Sequence, residues 1–174
     1  DFSSRWLADQ DDLSTIQTTH IVPIDLNCLL YKLEMLLSQF YAELFETDLS
    51  VKFAEYAQIR SDAINQYLWD EQSCFYYDFD FIQGKKTPIQ SLAACLPLFS
   101  QIASKQQAKH IALKLKNSFL LEGGLVTTLN DSAQQWDAPN GWAPLQWFAV
   151  VGLMNYGFDK LSLKIMNRWM ATVE

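Results

Sequence analysis

The sequence predicts an all-α protein built from three helical hairpins. Apolar residues recur at helical spacing over six stretches of the 174-residue chain, which is the pattern of helices that bury one face. Connections of about two to four residues alternate with segments of about twenty residues. Because a short connection makes consecutive helices antiparallel neighbours, the six stretches pair into hairpins.

The first hairpin has the clearest pattern. We predict a helix from about Asp25, its expected N-cap, to about Glu46. A second helix should follow Thr47 and run to about Leu68. The apolar stripe of the first helix comprises Leu26, Leu29, Leu30, Leu33, Leu36, Leu37, Phe40, Tyr41 and Leu44.

The other two hairpins follow from helix start and stop signals. A third helix is predicted near Pro88, since proline suits the first turn, and Ser104 can cap a fourth. A fifth helix begins at 143–144 and ends at Gly157, and Asp159 can cap a sixth.

The long segments 1–24, 69–87 and 121–142 each lead into the same member of a hairpin, its first helix. If the hairpins stack side by side, all three segments emerge at the same end, where long loops usually carry function. Residues 74–82 alternate enough to form a short strand or β-hairpin there.

Charge excludes several kinds of partner. The formal net charge is −7 and the isoelectric point about 4.7, so an anionic nucleic acid or membrane surface would be repelled. No apolar run reaches the roughly 18 residues of a membrane span, and no signal peptide opens the chain. We expect a neutral or cationic ligand, no nucleic acid and no membrane.

The cysteines and histidines argue against a metal site. Cys28, Cys74 and Cys95 lie far apart, and the chain has two His, so zinc-ligand spacing is absent. We expect no metal and no cofactor. Scattered thiols on apolar stretches favour a reducing compartment, and therefore the cytoplasm. A periplasmic location stays open, because the chain begins at Asp1 without Met.

The segment 135–147 concentrates amides, one carboxylate and three indoles. Amides and carboxylates match the donors and acceptors of sugar hydroxyls, and an indole offers a flat face for a pyranose ring. The alternative is that the indoles belong to the core and the carboxylate caps a turn. The candidate sugar-binding residues are Gln135, Trp136, Asp137, Asn140 and Trp142.

Other polar residues are weaker candidates when taken alone. Asp1 stands beside hydroxyls, a guanidinium and aromatic rings, but such neighbours commonly form an ordinary ion pair. His20 and His110 lack a Ser or Cys neighbour that would indicate a triad. Asp78 and Asp80 share one face of the predicted strand, and a solvated strand edge is the favoured interpretation.

Four stretches of the chain carry a family resemblance. They are Asp1-Phe-Ser-Ser-Arg-Trp-Leu, Thr15-Ile-Gln-Thr-Thr, Pro23-Ile-Asp-Leu-Asn and Gln135-Trp-Asp-Ala-Pro-Asn-Gly-Trp-Ala-Pro-Leu-Gln-Trp. These stretches resemble the trehalases of glycoside hydrolase family 37, and the last is similar to the specific second signature of that family. The matches keep their order along the whole chain and are closest to bacterial cytoplasmic trehalases.

The resemblance implies an (α/α)6 barrel, of which three hairpins are about half. It implies hydrolysis of α,α-trehalose to two glucose molecules, with inversion and without a cofactor, by a protein that is monomeric at full length. It also implies that Asp1 is the general acid, while the general base, a Glu, is expected beyond Glu174. We therefore expect residues 1–174 to be a single partial domain, a C-terminal-side fragment of a catalytic barrel, that is inactive alone.

Two other interpretations of the chain stay open. One is a noncatalytic or degenerate helical toroid that binds sugar, and the other is a different glucosidase on the same barrel.

Overall fold

The computed structural model describes residues 2–10, 12–132 and 134–173. Its main helices are α1 (Ile24–Glu43), α2 (Thr47–Ala63), α3 (Leu96–Phe99), α4 (Lys105–Lys114), α5 (Ala143–Asn155) and α6 (Asp159–Val173). A 3-10 turn over Leu92–Cys95 leads into α3, and π-helical turns over Ile64–Leu68 and Leu115–Phe119 extend α2 and α4.

Short antiparallel strands connect the helices on the side of the long segments. One sheet has the order β1 (Ile21–Val22), β4 (Phe79–Asp80), β5 (Lys85–Lys86). Strand β2 (Trp69–Asp70) pairs with β3 (Phe75–Tyr76), and β6 (Leu120–Leu121) pairs with β7 (Gly124–Leu125). Each of these two hairpins follows a π-helical turn, so the first and second helical pairs end in the same way.

The helices pack as neighbouring hairpins around one core. Helix α1 packs along α2, α5 packs along α6, and α3 lies between α1 and α5. Helix α4 reaches the end of α2, where the amide of Gln107 donates to Asn65 at 3.1 Å. The core is continuous from Ile24 on α1 to Ile165 on α6. Among the described residues, no helix is long and apolar enough to cross a membrane.

Two flanks of this array expose apolar side chains. Helix α1 carries an exposed row along its length, and α6 carries a second one on the opposite flank. Contiguous exposed apolar rows mark surfaces against which other protein can pack. The exposed residues are Leu26, Leu29, Leu33, Leu36 and Phe40 on α1, Leu44 at its C-cap, and Leu163, Met166 and Met170 on α6.

Most predicted helix boundaries are confirmed. The π-helical turn carries the second helix to Leu68, and Ser104 caps α4 in a reciprocal capping box with Gln107. Helix α5 begins at Ala143, and Gly157 has a φ of +77° just after it, which favours glycine.

Three predicted boundaries are wrong. The third helix does not begin near Pro88, because the backbone at Ser91 is extended and residues 90–92 bond to the next long segment. The carbonyl of Gln90 accepts the N–H of Leu129 at 3.1 Å. Asp25 does not cap α1; it lies in the first turn, and Pro23 is at the N-cap. Asp159 is the first residue of α6.

The predicted strand over 74–82 divides between two sheets. Strand β3 pairs antiparallel with the preceding strand β2, whereas β4 lies between β1 and β5 in the other sheet. The expected solvated edge is also wrong, since Asp78 and Asp80 are both buried. Asp78 lies between the two strands and pairs with Arg5, and Asp80 accepts two backbone N–H groups in a turn.

Candidate functional site

The three long segments meet at one end of the helices, as the alternation of connection lengths predicts. The N–H of Trp136 donates to the carbonyl of Phe2 at 3.0 Å, and the N–H of Phe81 donates to the carbonyl of His20 at 3.0 Å. Segments 2–23, 69–91 and 120–142 therefore form one surface, which we call the loop face.

Asp137 is the centre of hydrogen bonding on the loop face. Its side chain is 0% exposed. The carboxylate accepts four hydrogen bonds, from Ser3 Oγ at 2.8 Å, Ser4 N at 2.9 Å, Thr128 Oγ1 at 2.7 Å and Ser132 Oγ. A carboxylate offers about four lone-pair positions, so protein donors occupy all of them.

The charge of Asp137 is stabilised by these donors. Burial alone would raise the pKa of its carboxyl group, but the hydrogen bonds from Ser132, Ser4, Thr128 and Ser3 hold the pKa below its ordinary value. Asp137 is thus a buried anion that joins segment 120–142 to segment 2–23.

Ser3 and Ser4 both take part in this network. Ser3 Oγ accepts the N–H of Arg5 at 3.2 Å and caps the 3-10 turn Ser4–Trp6. Ser4 Oγ accepts from Asn130 Nδ2 at 2.9 Å. Asp1 itself, the expected general acid, lies outside the described residues.

Arg5 connects the same short turn to the rest of the loop face. Its Nε and Nη2 donate to the Asp78 carboxylate at 2.6 and 2.8 Å. Its Nη1 and Nη2 donate to Asp25 at 2.7 and 3.0 Å. The guanidinium carbon also lies 4.4 Å from the ring centroid of Trp6.

Electrostatics reinforces this cluster. Burial would lower the pKa of Arg5, but Asp78 and Asp25 raise it above its ordinary value. Burial would raise the pKa of Asp25, but the charge of Arg5 holds it below the ordinary range. Arg5 therefore stays charged while it is enclosed by two carboxylates.

A cavity of about 430 Å³ opens on the loop face. Gln135, Trp136 and Asn140 line it, together with the end of α6. The rings of Trp136 and Trp142 lie 5.9 Å apart at 45°, and Trp142 is 42% exposed. Accessible amides beside aromatic faces are groups that can hold sugar hydroxyls and pyranose faces.

The backbone of this loop depends on Gly141 and Gln146. A Cβ at Gly141 would lie 2.8 Å from the carbonyl oxygen of Leu125, so only glycine fits without a shift. The buried amide of Gln146 accepts the N–H of Leu125 at 3.0 Å and donates to its carbonyl at 2.6 Å. These contacts hold β7 and the start of α5 beside the cavity.

A larger cavity of about 670 Å³ lies between α1, α2 and β4. Apart from Asn27 and the ion pair between Arg60 and Glu34, aliphatic and aromatic side chains line it. It does not include the polar residues that meet on the loop face.

A family model described as trehalase matches residues 1–174. The chain belongs to the trehalase family. It is similar to the neutral trehalase Nth1 of Saccharomyces cerevisiae, with 31% identity and a TM-score of 0.79 over 86% of this chain and 31% of that chain. The chain thus spans about a third of that trehalase.

Two further likenesses concern the fold alone. A mannosylglycerate hydrolase of glycoside hydrolase family 63 from Thermus thermophilus, solved with glucose, has 21% identity and a TM-score of 0.76 over 87% of this chain and 37% of that one. A sialidase has 11% identity and a TM-score of 0.77 over 91% and 16%. With the trehalase match, they support the predicted partial (α/α)6 barrel.

Within the trehalase-family chain, the predicted sugar-binding residues separate into two groups. Gln135, Trp136, Asn140 and Trp142 lie at or beside the cavity with accessible atoms. Asp137 lies in the interior, where its contacts are all with protein donors.

Sequence reasoning missed the donors that hold Asp137. Thr128 and Ser132 are ordinary loop residues when the sequence is considered alone. Ser3 lies 134 positions away from Asp137. One signal was available, since hydroxyl and amide residues are dense just before the second signature. Only the contact between segments 2–23 and 120–142 shows that these residues surround Asp137. Among the described residues, no cluster of potential metal ligands is present.

Proposed function

We propose that the protein to which this chain belongs hydrolyses α,α-trehalose to two glucose molecules with inversion of the anomeric centre. One observation carries the proposal. Asp137 of the second trehalase signature holds Ser3 and Ser4 of the motif that begins at Asp1. In a chain of the trehalase family, this contact supports placing the proposed acid motif and the proposed sugar-binding loop on one surface.

In this proposal, Asp1 is the general acid and protonates the leaving glucose oxygen. An inverting glycosidase also needs a carboxylate base that activates water, with the two carboxyl groups about 6.5–9.5 Å apart. We expect that base, a Glu, beyond residue 174. Two carboxyl groups suffice for this hydrolysis, so no cofactor is required.

We assign sugar binding to Gln135, Trp136, Asn140 and Trp142. Gln135, Trp136 and Asn140 line the cavity, and the exposed ring of Trp142 lies beside Trp136. Their amides and indoles match hydroxyls and a pyranose face. We assign Asp137 a positioning role, because a carboxylate whose acceptor positions are all filled has none left for a sugar hydroxyl.

We further propose that residues 1–174 are one part of a single catalytic barrel. The exposed apolar rows on α1 and α6 would be covered by further hairpins of the same protein, and a closed barrel leaves no apolar flank to drive association. The complete protein is then monomeric, and residues 1–174 alone hydrolyse no trehalose.

The expected compartment is the cytoplasm. Cys28 and Cys95 are buried free thiols, and Cys74 is a partly buried free thiol, as in proteins of reducing compartments. The net charge of −7 argues against nucleic acid as a partner.

The test uses the protein expressed from its complete reading frame. Asp1→Asn is nearly isosteric but delivers no proton, so trehalose hydrolysis should fall by roughly 10²- to 10⁴-fold. α-Glucosyl fluoride has a leaving group that needs little protonation, so its hydrolysis should fall much less. Near-normal glucose release from trehalose by the variant would remove Asp1 from the mechanism, and equal losses on both substrates would make it a binding residue.

A further inference from the structure

Asp78 holds a residue of the acid-bearing segment, by which we mean residues 1–6. The Asp78 carboxylate receives two N–H groups of Arg5 at 2.6 and 2.8 Å. The side chains of Arg5 and Asp78 are 7% and 3% exposed. A paired, planar contact of this kind fixes direction as well as distance, so the guanidinium has a single orientation.

The turn around Arg5 carries this restraint towards Asp1. The N–H of Trp6 donates to the carbonyl of Ser3 at 3.1 Å, and the N–H of Leu7 donates to the carbonyl of Ser4 at 3.2 Å. Ser3 and Ser4 are also bound by Asp137. The backbone from Ser3 to Arg5 is therefore held at both ends, by Asp137 at one end and by Asp78 at the other.

Asp78 is itself firmly placed. It lies between β3 and β4, its carboxylate accepts the N–H of Ile24 at 2.9 Å, and its carbonyl accepts the N–H of Thr87 at 2.9 Å. Ile24 is the first residue of α1. Arg5 is thus fastened to the start of a long helix and to a sheet, which are rigid parts of the molecule.

We propose that Asp78 is a positioning residue of the hydrolytic reaction, which sets the acid-bearing segment through the Arg5 guanidinium. This inference rests on the proposed function, in which Asp1 is the general acid. Proton transfer requires the acid within hydrogen-bond reach of the leaving oxygen, and a misplacement of about 1 Å can cost roughly 100-fold in rate. Loosening Arg5 should therefore impair protonation of the leaving group more than sugar binding.

The experiment compares Asp78→Asn with Glu34→Gln in the protein from the complete reading frame. Glu34 on α1 accepts two N–H groups of Arg60 on α2, at 2.7 and 2.9 Å. This is the same kind of paired contact, and it lies away from residues 1–6. In Asp78→Asn, an NH2 group faces the Arg5 donors, while Asp25 still neutralises Arg5. If Asp78→Asn does not fold, Arg5→Lys is the second variant, because it keeps the positive charge but loses the paired contact with Asp78. It should show the same selective loss on trehalose and the same faster exchange, and an equal loss on both substrates would overturn the inference.

We expect kcat for trehalose to fall by about 10- to 100-fold in Asp78→Asn, with KM changed less than about threefold and α-glucosyl fluoride hydrolysis nearly retained. Hydrogen–deuterium exchange of residues 2–7 should quicken. Glu34→Gln should leave unchanged both the ratio of the hydrolysis rates on the two substrates and the exchange of residues 2–7, even if its melting temperature falls.

The inference would be overturned if Asp78→Asn lost activity equally on trehalose and on α-glucosyl fluoride, in proportion to its fall in melting temperature, as expected for Glu34→Gln. That result would leave the proposed function intact. If the unaltered protein releases no glucose from trehalose, the proposed function fails, and the exchange measurement decides alone. Unchanged exchange of residues 2–7 in Asp78→Asn would then overturn the positioning of this segment, and faster exchange would support it.

Discussion

Replacing Asp137 by Asn should cost both stability and activity. The substitution keeps the shape of the side chain but turns one acceptor oxygen into an NH2 donor. If the amide oxygen stays with the hydroxyls of Ser3 and Thr128, the NH2 group faces Ser132 Oγ and the N–H of Ser4. The Ser132 hydroxyl can turn and accept, but the N–H of Ser4 has only a donor to offer.

The magnitude follows from these contacts. One buried N–H without a partner costs about 1–3 kcal/mol, and two hydrogen bonds that lose a charged acceptor weaken by about 1 kcal/mol each. The expected loss in the free energy of unfolding is therefore about 3–5 kcal/mol. At about 2–4 °C per kcal/mol, that is roughly 6–20 °C in melting temperature for a domain of this size, and less in a larger protein.

The assay is thermal unfolding together with trehalose hydrolysis, in the protein from the complete reading frame. Trp136→Ala is the matched variant, since its ring lies at the cavity while its backbone bond to Phe2 remains. We expect it to impair turnover with a small change in melting temperature. An Asp137→Asn protein that melts like the unaltered protein but has lost activity would refute the positioning role and indicate direct sugar contact.

The same carboxylate predicts a dependence on pH. Because the folded-state pKa of Asp137 is lowered, its stabilising contribution is complete above the ordinary Asp value of about 3.9 and is lost as pH falls through the lower folded pKa. The stability difference between the unaltered protein and Asp137→Asn should therefore narrow as pH falls below about 4. A difference that stays constant down to the acid limit would contradict this assignment.

Two further predictions concern packing and thiol access. Gly141→Ala should destabilise the loop by about 1–3 kcal/mol, measured by chemical unfolding, because its Cβ would meet the carbonyl of Leu125 at 2.8 Å; normal stability would mean that the loop moves freely. Cys74 should react with a thiol reagent in the native protein, whereas the buried Cys28 and Cys95, whose pKa values are raised by burial, should react only after unfolding; three equal rates would contradict the described core.

Periodic helices were predictable because their signal is local. The apolar stripe of α1, the capping box at Ser104 and the stop at Gly157 each involve residues within a few positions of one another. Pro88 meets the local criteria for a first-turn residue, so the sequence predicts a start for the third helix that is too early. The extended backbone of residues 90–92 is imposed by pairing with residues 127–129, and no local pattern contains that pairing.

The candidate site divides in the same way. The sequence is enough to select the candidate sugar-binding residues Gln135, Trp136, Asn140 and Trp142. Amides and indoles close together in one loop indicate sugar binding from residue type alone. Asp137 was selected with them, but its type could not reveal whether its carboxylate meets a sugar or four protein donors. The sequence favours a solvated strand edge for Asp78, whereas in the structure this residue is the buried partner of Arg5.

The sequence by itself determined the helical hairpins, the alternation of short and long connections, the family and the motifs that resemble the signatures of that family. These depend on spacing and residue type, which are properties of the chain. Only the tertiary structure decided which carboxylates are buried and what they hold, because the energy of a buried charge depends on donors from distant segments. Ser3 and Asp137, which lie 134 positions apart, meet at 2.8 Å, and that contact makes Asp137 part of the scaffold on which the site is built.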